Sequence, residues 1–580
     1  MTDATTMTAA QRLLALSARL GIEYLFTNLG SDHPAFIEAF ALFRERGWPA
    51  PKVVSCPHES TALCAAHGYS MVTRKPQVVL VHVDVGTANL GGAVHNAFRG
   101  RVPVIVIAGL SPVTLGGPDE RDGRVGGRNE FIHFLQDAPR QHEIVQQYMK
   151  WCYELRAGSM VENVMMRAMQ IAASAPQGPV YITRAREVWE EVSKAASAVI
   201  EQWPTPRIGG LPAGDVAMLQ QALVQARRPI IVTSSIGKDR DAVARLIELS
   251  EKIGIGVCEA SPQYMNFPGS HAHHLGYRRN QVVDEADLIL MVDADVPWIP
   301  SKVKPAPGAR VFQIDQDALK SSLGFWHYPA ERVWQADSAQ ALAQLLASAG
   351  DAQAPGRAER VAWLGQVKAK TNPPARAAQF SGALTVEELL FALRGLINER
   401  SVVLMEAPTA TETIPSILQL DAPGSYYSSG GSSLGWGINA AIGAKLARKD
   451  AEVIAIVGDG SYVFGVPSSA YWVARAYGAA QLTIICNNGG WAAPRMSTLG
   501  VHPNGIANRN DTFWVTMTAG SRLAQIANAA GDAAAFEVSA REELSATLQE
   551  ALRIVRSGRS AVVEVTLMAI SAQVLSEEKN

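Results

Sequence analysis

The 580-residue sequence lacks several features that would place it in a simple class. Its five cysteines are scattered and none form a Cys-x-x-Cys pair, which argues against a disulfide framework or a zinc site. There are 52 lysine and arginine residues against 54 aspartate and glutamate residues, so the basic excess typical of nucleic-acid-binding domains is missing. No apolar run of about 18 residues is free of glycine, proline and charge, which excludes a membrane-spanning helix.

Two further absences limit the cellular compartment and the kind of cofactor that we expect. Residues 1–11 do not show the basic segment and apolar stretch of a secretory signal. Together with the unpaired cysteines, this predicts a cytoplasmic protein. No Gly-x-Gly-x-x-Gly follows a first strand and opens a helix, so a nicotinamide-dependent dehydrogenase is not expected.

What the sequence does contain is apolar material, 48% of all residues, arranged in short strand-like runs that alternate with helical patterns. This alternation is typical of α/β domains with parallel sheets. It recurs three times and predicts three doubly wound domains, at residues 1–192, 215–349 and 384–580, joined by exposed linkers. The predicted strands are residues 24–26, 52–55, 77–82, 102–108 and 180–182, then 229–233, 256–259, 288–292 and 310–314, then 402–405, 452–457, 481–486 and 561–565.

Polar residues follow two of the predicted strands in the third domain. The first strand is followed by Gly458, Asp459, Gly460 and Ser461, and the second by Asn487, Asn488, Gly489 and Gly490. Carboxylate and amide oxygens at the ends of parallel strands suit a hard cation such as Mg²⁺, which also binds diphosphate oxygens. A Gly-Asp-Gly triplet alone is common in ordinary turns, so the pattern needs support from elsewhere in the chain.

Two other segments provide that support. Residues 430–443 form a glycine-rich passage into a predicted helix, and the strand at 52–55 leads through Cys56, Pro57 and His58 to Glu59. With the Gly-Asp-Gly triplet and the double asparagine, this set resembles the thiamine-diphosphate-dependent 2-oxo acid decarboxylase and acetolactate synthase superfamily. The resemblance covers essentially the whole chain and implies, in order, a pyrimidine-binding domain, a middle domain and a diphosphate-binding domain.

The resemblance also implies a role for each residue of the set. Glu59 would hydrogen-bond N1′ of the aminopyrimidine and favour the tautomer whose N4′ removes the C2 proton. Leu434 would wedge between the two rings, and the carbonyl of Ser432 would accept from the 4′-amino group. Without the other motifs, Glu59 would be explained equally well as an acidic residue in the first turn of a helix. The other residues expected to contact the cofactor are Thr409, Gly458, Asp459, Gly460, Ser461 and Asn488.

The metal ligands implied by the resemblance are Asp459, Asn488 and the carbonyl of Gly490. The stretch from Asp459 to Asn488 is slightly longer than is usual in the family. Asn487 therefore stays open as an alternative ligand to Asn488.

The substrate side resembles that of benzoylformate decarboxylases. Asn28, Leu29, Gly30 and Ser31 look like their Asn-Pro-Gly-Ser turn, in which Ser31 would hold the substrate carboxylate. His82, at the end of the strand at 77–82, matches their proton-handling histidine. No second histidine occurs at residues 296–300, where the resemblance would place one, and the His-His pair of pyruvate decarboxylases is reduced to Asp32 and His33. Three tryptophans are candidates for an aromatic pocket wall or for the core: Trp298, Trp436 and Trp491.

The sequence thus predicts a thiamine-diphosphate- and Mg²⁺-dependent 2-oxo acid decarboxylase, with room for carboligase activity because proton delivery lacks the second histidine. The alternative is an acetolactate-synthase-like enzyme or 2-hydroxyacyl lyase, which would use the same cofactor residues. A non-catalytic relative is disfavoured, because a binding module does not need the activating Glu59. FAD is not expected, because the turn at residues 233–237 of the middle domain has little glycine.

The expected partners follow from the same resemblance. Glu59 and Asp459 lie in different domains, which in the resembling family meet across a subunit interface. We therefore expect a homodimer as the minimum active unit and a homotetramer as the assembly. The expected ligand is a small 2-oxo acid or aldehyde, with no nucleic-acid partner and no membrane association.

Overall fold

The structure is a computed structural model that describes residues 6–116, 125–194, 199–277, 282–350, 353–371, 382–517 and 520–570. These residues form three α/β units, each built on a parallel sheet, which confirms the predicted fold class. The described part of the chain contains no helix with the length and hydrophobicity needed to cross a bilayer.

The first unit brings the ends of three strands together at one sheet edge. Its strands are β1 (Thr6–Thr8), β2 (Tyr24–Thr27), β3 (Lys52–Ser55), β4 (Gln77–Val81), β5 (Val104–Leu110), β6 (Trp151–Glu154), β7 (Val180–Ala185) and β8 (Val192–Lys194). Its helices are α1 (Ala9–Arg19), α2 (Pro34–Arg46), α3 (Glu59–Thr73), α4 (Val83–Asn89), α5 (Gly91–Arg99), α6 (Ile132–Leu135), α7 (Val161–Ala173) and α8 (Arg186–Glu190). The main sheet has the order β3-β2-β4-β5-β7-β6, and β1 pairs separately with β8. Because β2 lies between β3 and β4, the segments carrying Ser31, Glu59 and His82 leave the sheet side by side.

The middle unit has a five-stranded sheet in the order β10-β9-β11-β12-β13. Its strands are β9 (Pro229–Thr233), β10 (Gly256–Glu259), β11 (Leu288–Val292), β12 (Arg310–Asp315) and β13 (Arg332–Gln335). Its helices are α9 (Ala213–Gln225), α10 (Arg240–Ile253), α11 (Ser338–Ser348) and α12 (Arg357–Thr371). The prediction of an exposed linker at 350–383 is wrong where α12 forms, because its apolar residues Leu364 and Val367 are buried in the core of this unit.

The third unit has a six-stranded sheet in the order β15-β14-β16-β17-β19-β18. Its strands are β14 (Ser401–Glu406), β15 (Tyr426–Ser428), β16 (Glu452–Gly458), β17 (Leu482–Asn487), β18 (Ala534–Val538) and β19 (Ala561–Thr566). Its helices are α13 (Val386–Arg394), α14 (Thr413–Leu418), α15 (Gly437–Ala447), α16 (Asp459–Phe464), α17 (Pro467–Ala476), α18 (Ala492–Val501), α19 (Ile506–Arg509), α20 (Leu523–Gly531) and α21 (Arg541–Arg556). Strands β16 and β17 are neighbours, with Gly458 opposite Cys486, so the polar residues that follow them meet at one edge.

The first and third units are joined by two helices whose backbones touch. A Cβ at Gly68 of α3 would lie 2.1 Å from the carbonyl oxygen of Ala440. A Cβ at Gly443 of α15 would lie 1.8 Å from the carbonyl oxygen of Ala65. Glycine is thus required at this crossing, and one apolar core continues from the first unit into the third.

The first and middle units are joined by ion pairs. Arg101, which follows α5, donates to Asp295 at 2.8 and 3.0 Å and to Asp317 at 2.8 and 3.1 Å. Lys320 lies 2.6 Å from Asp315 and 2.8 Å from Asp295. Largely buried charges are tolerated when they are paired, and here they fill the edge at which doubly wound sheets usually bind ligands.

Candidate active site

A cavity of about 460 Å³ opens at the carboxyl edge of the third sheet. Its lining includes the turns that follow β16 and β17, together with residues from the start of α13 and from the segment after β14. The sequence-predicted residues that line it are Thr409, Leu434, Gly458, Asp459, Gly460, Ser461, Asn488 and Gly490. The structure therefore gathers eight of the predicted cofactor and metal residues around one space.

Asp459 and Asn488 both line this cavity. Asp459 is buried at the start of α16, where its Oδ1 accepts from the amide of Gly460 at 2.8 Å. Asn488 lines the cavity beside it, whereas Asn487 does not. The amide of Asn487 instead donates to Glu564 Oε1 at 2.7 Å, which turns it toward β19. This arrangement favours Asn488 over Asn487 as a ligand.

Two glycines shape the cavity wall. A Cβ at Gly460 would lie 2.4 Å from Nε1 of Trp491, so the indole ring can pack directly on the Gly-Asp-Gly turn. Gly490 has a φ of 152°, and a Cβ there would lie 2.0 Å from the carbonyl oxygen of Val515. Larger side chains at either position would push the wall into or away from the space.

Leu434 and Pro408 line both this cavity and a second one of about 320 Å³. The second cavity is lined by Ser432 and its neighbours, and by Asp295 and Val296 of the middle unit. The backbone amide of Ser432 donates to Nε2 of His95 at 3.4 Å, and its hydroxyl lies 3.3 Å from the same nitrogen. The wedge role of Leu434 between the two rings stays a prediction.

Two residues that sequence reasoning missed hold the loop carrying Leu434. Asn96, buried on α5, donates to the carbonyl of Ser433 at 2.8 Å and accepts from its amide at 3.0 Å. Glu406, at the end of β14, accepts from the amides of Trp436 and Gly437 at 3.1 and 2.7 Å. Burial raises the pKa of Glu406 to about 7, although these backbone hydrogen bonds act to lower it. A polar residue at the end of an apolar strand was the signal that could have identified Glu406.

Glu59 begins α3 and is 7% exposed, at the carboxyl edge of the first sheet. Its Oε2 accepts from the side-chain amide of Asn89 at 2.9 Å. A Cβ at Gly86 would lie 3.1 Å from Glu59 Oε1 and 3.3 Å from the Cβ of His82. Glu59 and His82 therefore flank the same glycine, and the structure brings these two predicted residues together.

His82 caps α4 at the end of β4. Its Nδ1 is hydrogen-bonded to Asp32 Oδ1, and its Nε2 to Gln136 Oε1 at 2.8 Å. Ser31 precedes Asp32 in the same turn and is exposed, and its carbonyl accepts from Arg186 at 3.2 Å. Asp32 and Gln136 are partners of His82 that sequence reasoning did not assign.

The larger cavity is lined by the third unit. Among the described residues, all that line it come from residues 384–568 and none from the first unit. The described contacts of Glu59 are made within the first unit. Of the three candidate tryptophans, Trp298 and Trp436 are buried core residues and Trp491 lines the cavity.

Comparison with known proteins assigns all three units to one family. The N-terminal thiamine pyrophosphate-binding domain of thiamine pyrophosphate enzymes matches residues 7–144, the central domain matches 216–345, and the C-terminal thiamine pyrophosphate-binding domain matches 411–565. The chain belongs to the thiamine pyrophosphate enzyme family. It is thus an enzyme of the class that makes or breaks carbon–carbon bonds with thiamine pyrophosphate, also called thiamine diphosphate, and that includes decarboxylases and acetolactate synthases.

The relatives of this thiamine pyrophosphate enzyme include both decarboxylases and acetolactate synthases. Benzoylformate decarboxylase of Pseudomonas aeruginosa is 26% identical over 95% of this chain and 97% of its own length. Acetolactate synthase isozyme 1 large subunit of Escherichia coli is 26% identical over 71% of each chain. The crystal structure of benzoylformate decarboxylase from Polynucleobacter necessarius superposes with a TM-score of 0.78 at 20% identity, covering 98% of this chain and 100% of that one, which shows a common fold.

The matched domains of the thiamine pyrophosphate enzyme contain most of the candidate site. Ser31, Glu59 and His82 lie in the part matched by the N-terminal domain, and Asp459 and Asn488 in the part matched by the C-terminal domain. Thr409 lies two residues before the C-terminal match begins. The two groups of candidate residues therefore belong to the family's two cofactor-binding domains.

Proposed function

We propose that this enzyme is a thiamine-diphosphate- and Mg²⁺-dependent 2-oxo acid decarboxylase similar to benzoylformate decarboxylase. The observation that carries the proposal is the placement of His82 and Glu59 on either side of Gly86, because a decarboxylase needs a proton donor for the product carbon in the same site as the carboxylate that activates the cofactor. The relative with this activity also aligns along nearly the whole length of both chains. Carboligation of the same substrates is a secondary activity that we expect from the same site.

The donor set of the larger cavity fits Mg²⁺ and a diphosphate. Asp459 and Asn488 offer a carboxylate and an amide oxygen, which are hard ligands of the type Mg²⁺ takes in octahedral sites. The carbonyl of Gly490 would complete the protein ligands, with Gly458, Gly460, Ser461 and Thr409 around the diphosphate. Leu434 would separate the two rings, with the carbonyl of Ser432 as acceptor for the amino group.

Bound thiamine diphosphate supplies the electron sink that cleavage of the bond to the substrate carboxylate requires. Glu59 would hold a proton shared with N1′ of the pyrimidine. Asn89 fixes one oxygen of that carboxylate, which leaves the other for the pyrimidine. Ser31, exposed in the turn after β2, would bind the substrate carboxylate, and His82 would supply the proton to the product.

The site needs a second copy of the chain. None of the described residues of the first unit lines the cavity, whereas the proposed activating carboxylate, Glu59, belongs to that unit. We therefore propose a homodimer as the smallest active form and a homotetramer as the full assembly. Light scattering with parallel assays tests this proposal, because a fully active monomer would contradict it.

We do not expect FAD in the proposed enzyme. Two cavities border the carboxyl edge of the middle sheet: one of about 170 Å³, below the range of about 300–1,000 Å³ usual for drug-sized ligands, and the second cavity of about 320 Å³, which Leu434 also lines. Their neighbourhood is occupied by the ion pairs of Arg101 and Lys320. These contacts give the middle unit a structural role.

The proposal is tested by turnover of a panel of 2-oxo acids, including benzoylformate and pyruvate, with thiamine diphosphate and Mg²⁺ present. We expect carbon dioxide and free aldehyde as the main products, with carboligation products in smaller amounts. Acetolactate as the main product from pyruvate would instead establish the alternative, an acetolactate-synthase-like enzyme. The Asp459→Ala variant serves as the cofactor-binding control.

A further inference from the structure

The imidazole of His82 is fixed through both of its nitrogens. Nδ1 is hydrogen-bonded to Asp32 Oδ1, and Nε2 to Gln136 Oε1 at 2.8 Å. A Cβ at Gly109 would lie 1.6 Å from Asp32 Oδ2, and a Cβ at Gly30 would lie 2.1 Å from Nδ1 of His82. Two glycines therefore make room for this pair of side chains, which leaves neither ring nor carboxylate free to turn.

The same residues include a group with metal-ligating chemistry. Among the described residues, Asp32, His33 and His82 are the three whose ligand atoms lie within 4.8 Å of one another. Asp32 Oδ1 also lies 2.9 Å from His33 Nδ1, and the amide of Gly30 donates to that nitrogen at 3.0 Å. Because the nitrogens that would face a cation already have hydrogen-bond partners, the group is better explained as a hydrogen-bond network.

We propose that Asp32 is a positioning residue that binds the Nδ1 proton of His82 and so directs Nε2 to protonate the decarboxylated carbon of the substrate. This inference rests on the proposed function, in which His82 acts after carbon dioxide has left. In the step, the N–H bond at Nε2 breaks and a C–H bond forms on the substrate carbon. His82 is left neutral, with its remaining proton on Nδ1 held by Asp32, and water restores the proton at Nε2. Gln136 accepts from Nε2 in the resting site and keeps the ring in the same orientation.

The surroundings favour the charged imidazole. Burial alone lowers the pKa of His82, but the hydrogen bond and charge of Asp32, with smaller effects from Gln136 and Asp84, raise it above the ordinary value. Burial would raise the pKa of Asp32, but its contacts with His33 and His82 lower it well below the usual range. The other titratable or charged groups that face this pair are Glu59 of α3, across Gly86, and Arg184 of β7 and His133 of α6, both of which interact electrostatically with Asp32.

This arrangement affects which product the enzyme releases, the free aldehyde or the carboligation product. A charged His82 can protonate the product carbon at once, so free aldehyde is released before a second carbonyl compound reacts. Without Asp32, the proton would be lost at lower pH and the unprotonated carbon would persist longer. We therefore expect Asp32 to set the ratio of aldehyde to carboligation product.

The experiment is a titration of His82 in the full-length chain with thiamine diphosphate and Mg²⁺, using ¹³C-labelled histidine and NMR. The His82 resonance is assigned by its loss in the His82→Gln variant. In the wild type we expect a pKa above about 6.5, the ordinary value for histidine. In Asp32→Asn we expect it to fall by about one unit or more, the usual effect of removing an adjacent opposite charge.

Activity is followed in parallel. The Asp32→Asn variant should lose aldehyde release at a lower pH than the wild type and should make more carboligation product. The matched control is Asp84→Asn, which removes an equal charge near His82 without removing a hydrogen bond to it, and which should shift the pKa by less than half as much. Adding Asp32→Asn to His82→Ala should cause no further loss, because the two residues act as one unit.

Several outcomes would overturn the inference. Equal His82 pKa values in the wild type and Asp32→Asn would do so, even in a chain that decarboxylates. If Asp32→Asn fails to fold, a wild-type pKa at or below about 6.5 would suffice. Stoichiometric Zn²⁺ abolishing the titration would show a metal site instead. A raised, Asp32-dependent pKa in a chain that decarboxylates no 2-oxo acid would overturn the proposed function and, with it, the proton-transfer role.

Discussion

The two groups of candidate site residues are built in opposite ways. In the first unit, Glu59 and His82 are oriented by neighbouring side chains: Asn89 for the first, and Asp32 with Gln136 for the second. In the third unit, Asp459 and Asn488 instead border an open cavity of about 460 Å³. Groups that move protons need a fixed direction before the substrate arrives, and in the first unit this direction is set by side chains rather than by the backbone. The difference suggests that damage to the first unit appears in kcat and damage to the third in cofactor affinity.

The largest effect should come from Glu59→Gln in the first unit. Gln can still hydrogen-bond N1′ but cannot supply its proton, so kcat should fall by about 10²–10⁴ while cofactor affinity is largely kept. Deuterium exchange at C2, followed by quenched-flow NMR beside steady-state kinetics, measures the effect. Glu38→Gln, an exposed residue of α2, is the control. Normal exchange in Glu59→Gln would reduce this glutamate to a helix-terminus residue.

In the third unit, Asp459→Ala should weaken thiamine diphosphate binding by about tenfold or more in the presence of Mg²⁺, the lower end of the losses that changes around metal sites cause. Calorimetry with Mg²⁺ and with a chelator measures the affinity. Asn488→Ala should act in the same direction. Asn487→Ala should lower thermal stability instead, because it removes a hydrogen bond to Glu564. Equal affinity with and without the chelator would remove the metal from the proposed site.

Glu406 tests whether the third unit also has an oriented carboxylate. Because burial raises its pKa from about 4.5 to about 7, the folded chain binds this proton more tightly than the unfolded chain does. Stability should therefore fall as pH rises from about 4.5 to 7, by about 1–2 kcal/mol between pH 5.5 and 7. Denaturant unfolding of the wild type and Glu406→Gln at several pH values measures this difference. An identical pH dependence in both proteins would contradict it.

The smallest effect should come from Asn89→Ala, which removes one hydrogen bond to Glu59. A net hydrogen bond contributes about 0.5–1.5 kcal/mol, so kcat should fall by roughly two- to tenfold with cofactor affinity unchanged. Steady-state kinetics and calorimetry on the same preparation separate the two quantities. A change confined to cofactor affinity would mean that Asn89 behaves like the third-unit residues. It would contradict the expectation that changes in the first unit affect kcat.

The central strands could be predicted from sequence because they are buried on both faces and read as continuous apolar runs, as in β9 and β11. Six of the described strands were not predicted: β6, β13, β15 and β18, at edges of the three main sheets, and β1 and β8, which pair with each other. Of the four residues of β13, only Trp334 is buried, so no apolar run marks the strand. Edge strands depend on a neighbour that the local sequence does not reveal.

The candidate site divides in a similar way. Asp459 stands directly after the apolar strand β16, and Glu59 follows β3 after a three-residue turn, so their placement could be inferred from sequence. Asp32 and Gln136 lie 50 and 54 residues from His82, and only the folded chain brings them to its ring. Orienting partners of this kind carry no local pattern, because any polar residue on the facing segment can serve.

The bridge made by Arg101 limits how such enzymes can be recombined. Asp295 and Val296 line the second cavity beside Leu434, so one wall of that cavity is anchored by an arginine from another unit. In a chimera that exchanged residues 215–349 with those of a relative, Arg101 would stay but the residues at positions 295 and 317 would come from the relative. Arg101 would then have different partners or no partner. Its boundaries would fall between two units of the chain, and the exchange would still separate the partners of a half-buried ion pair. An exchange of whole units therefore preserves this ion pair only when residue 101 and residues 215–349 come from the same parent protein.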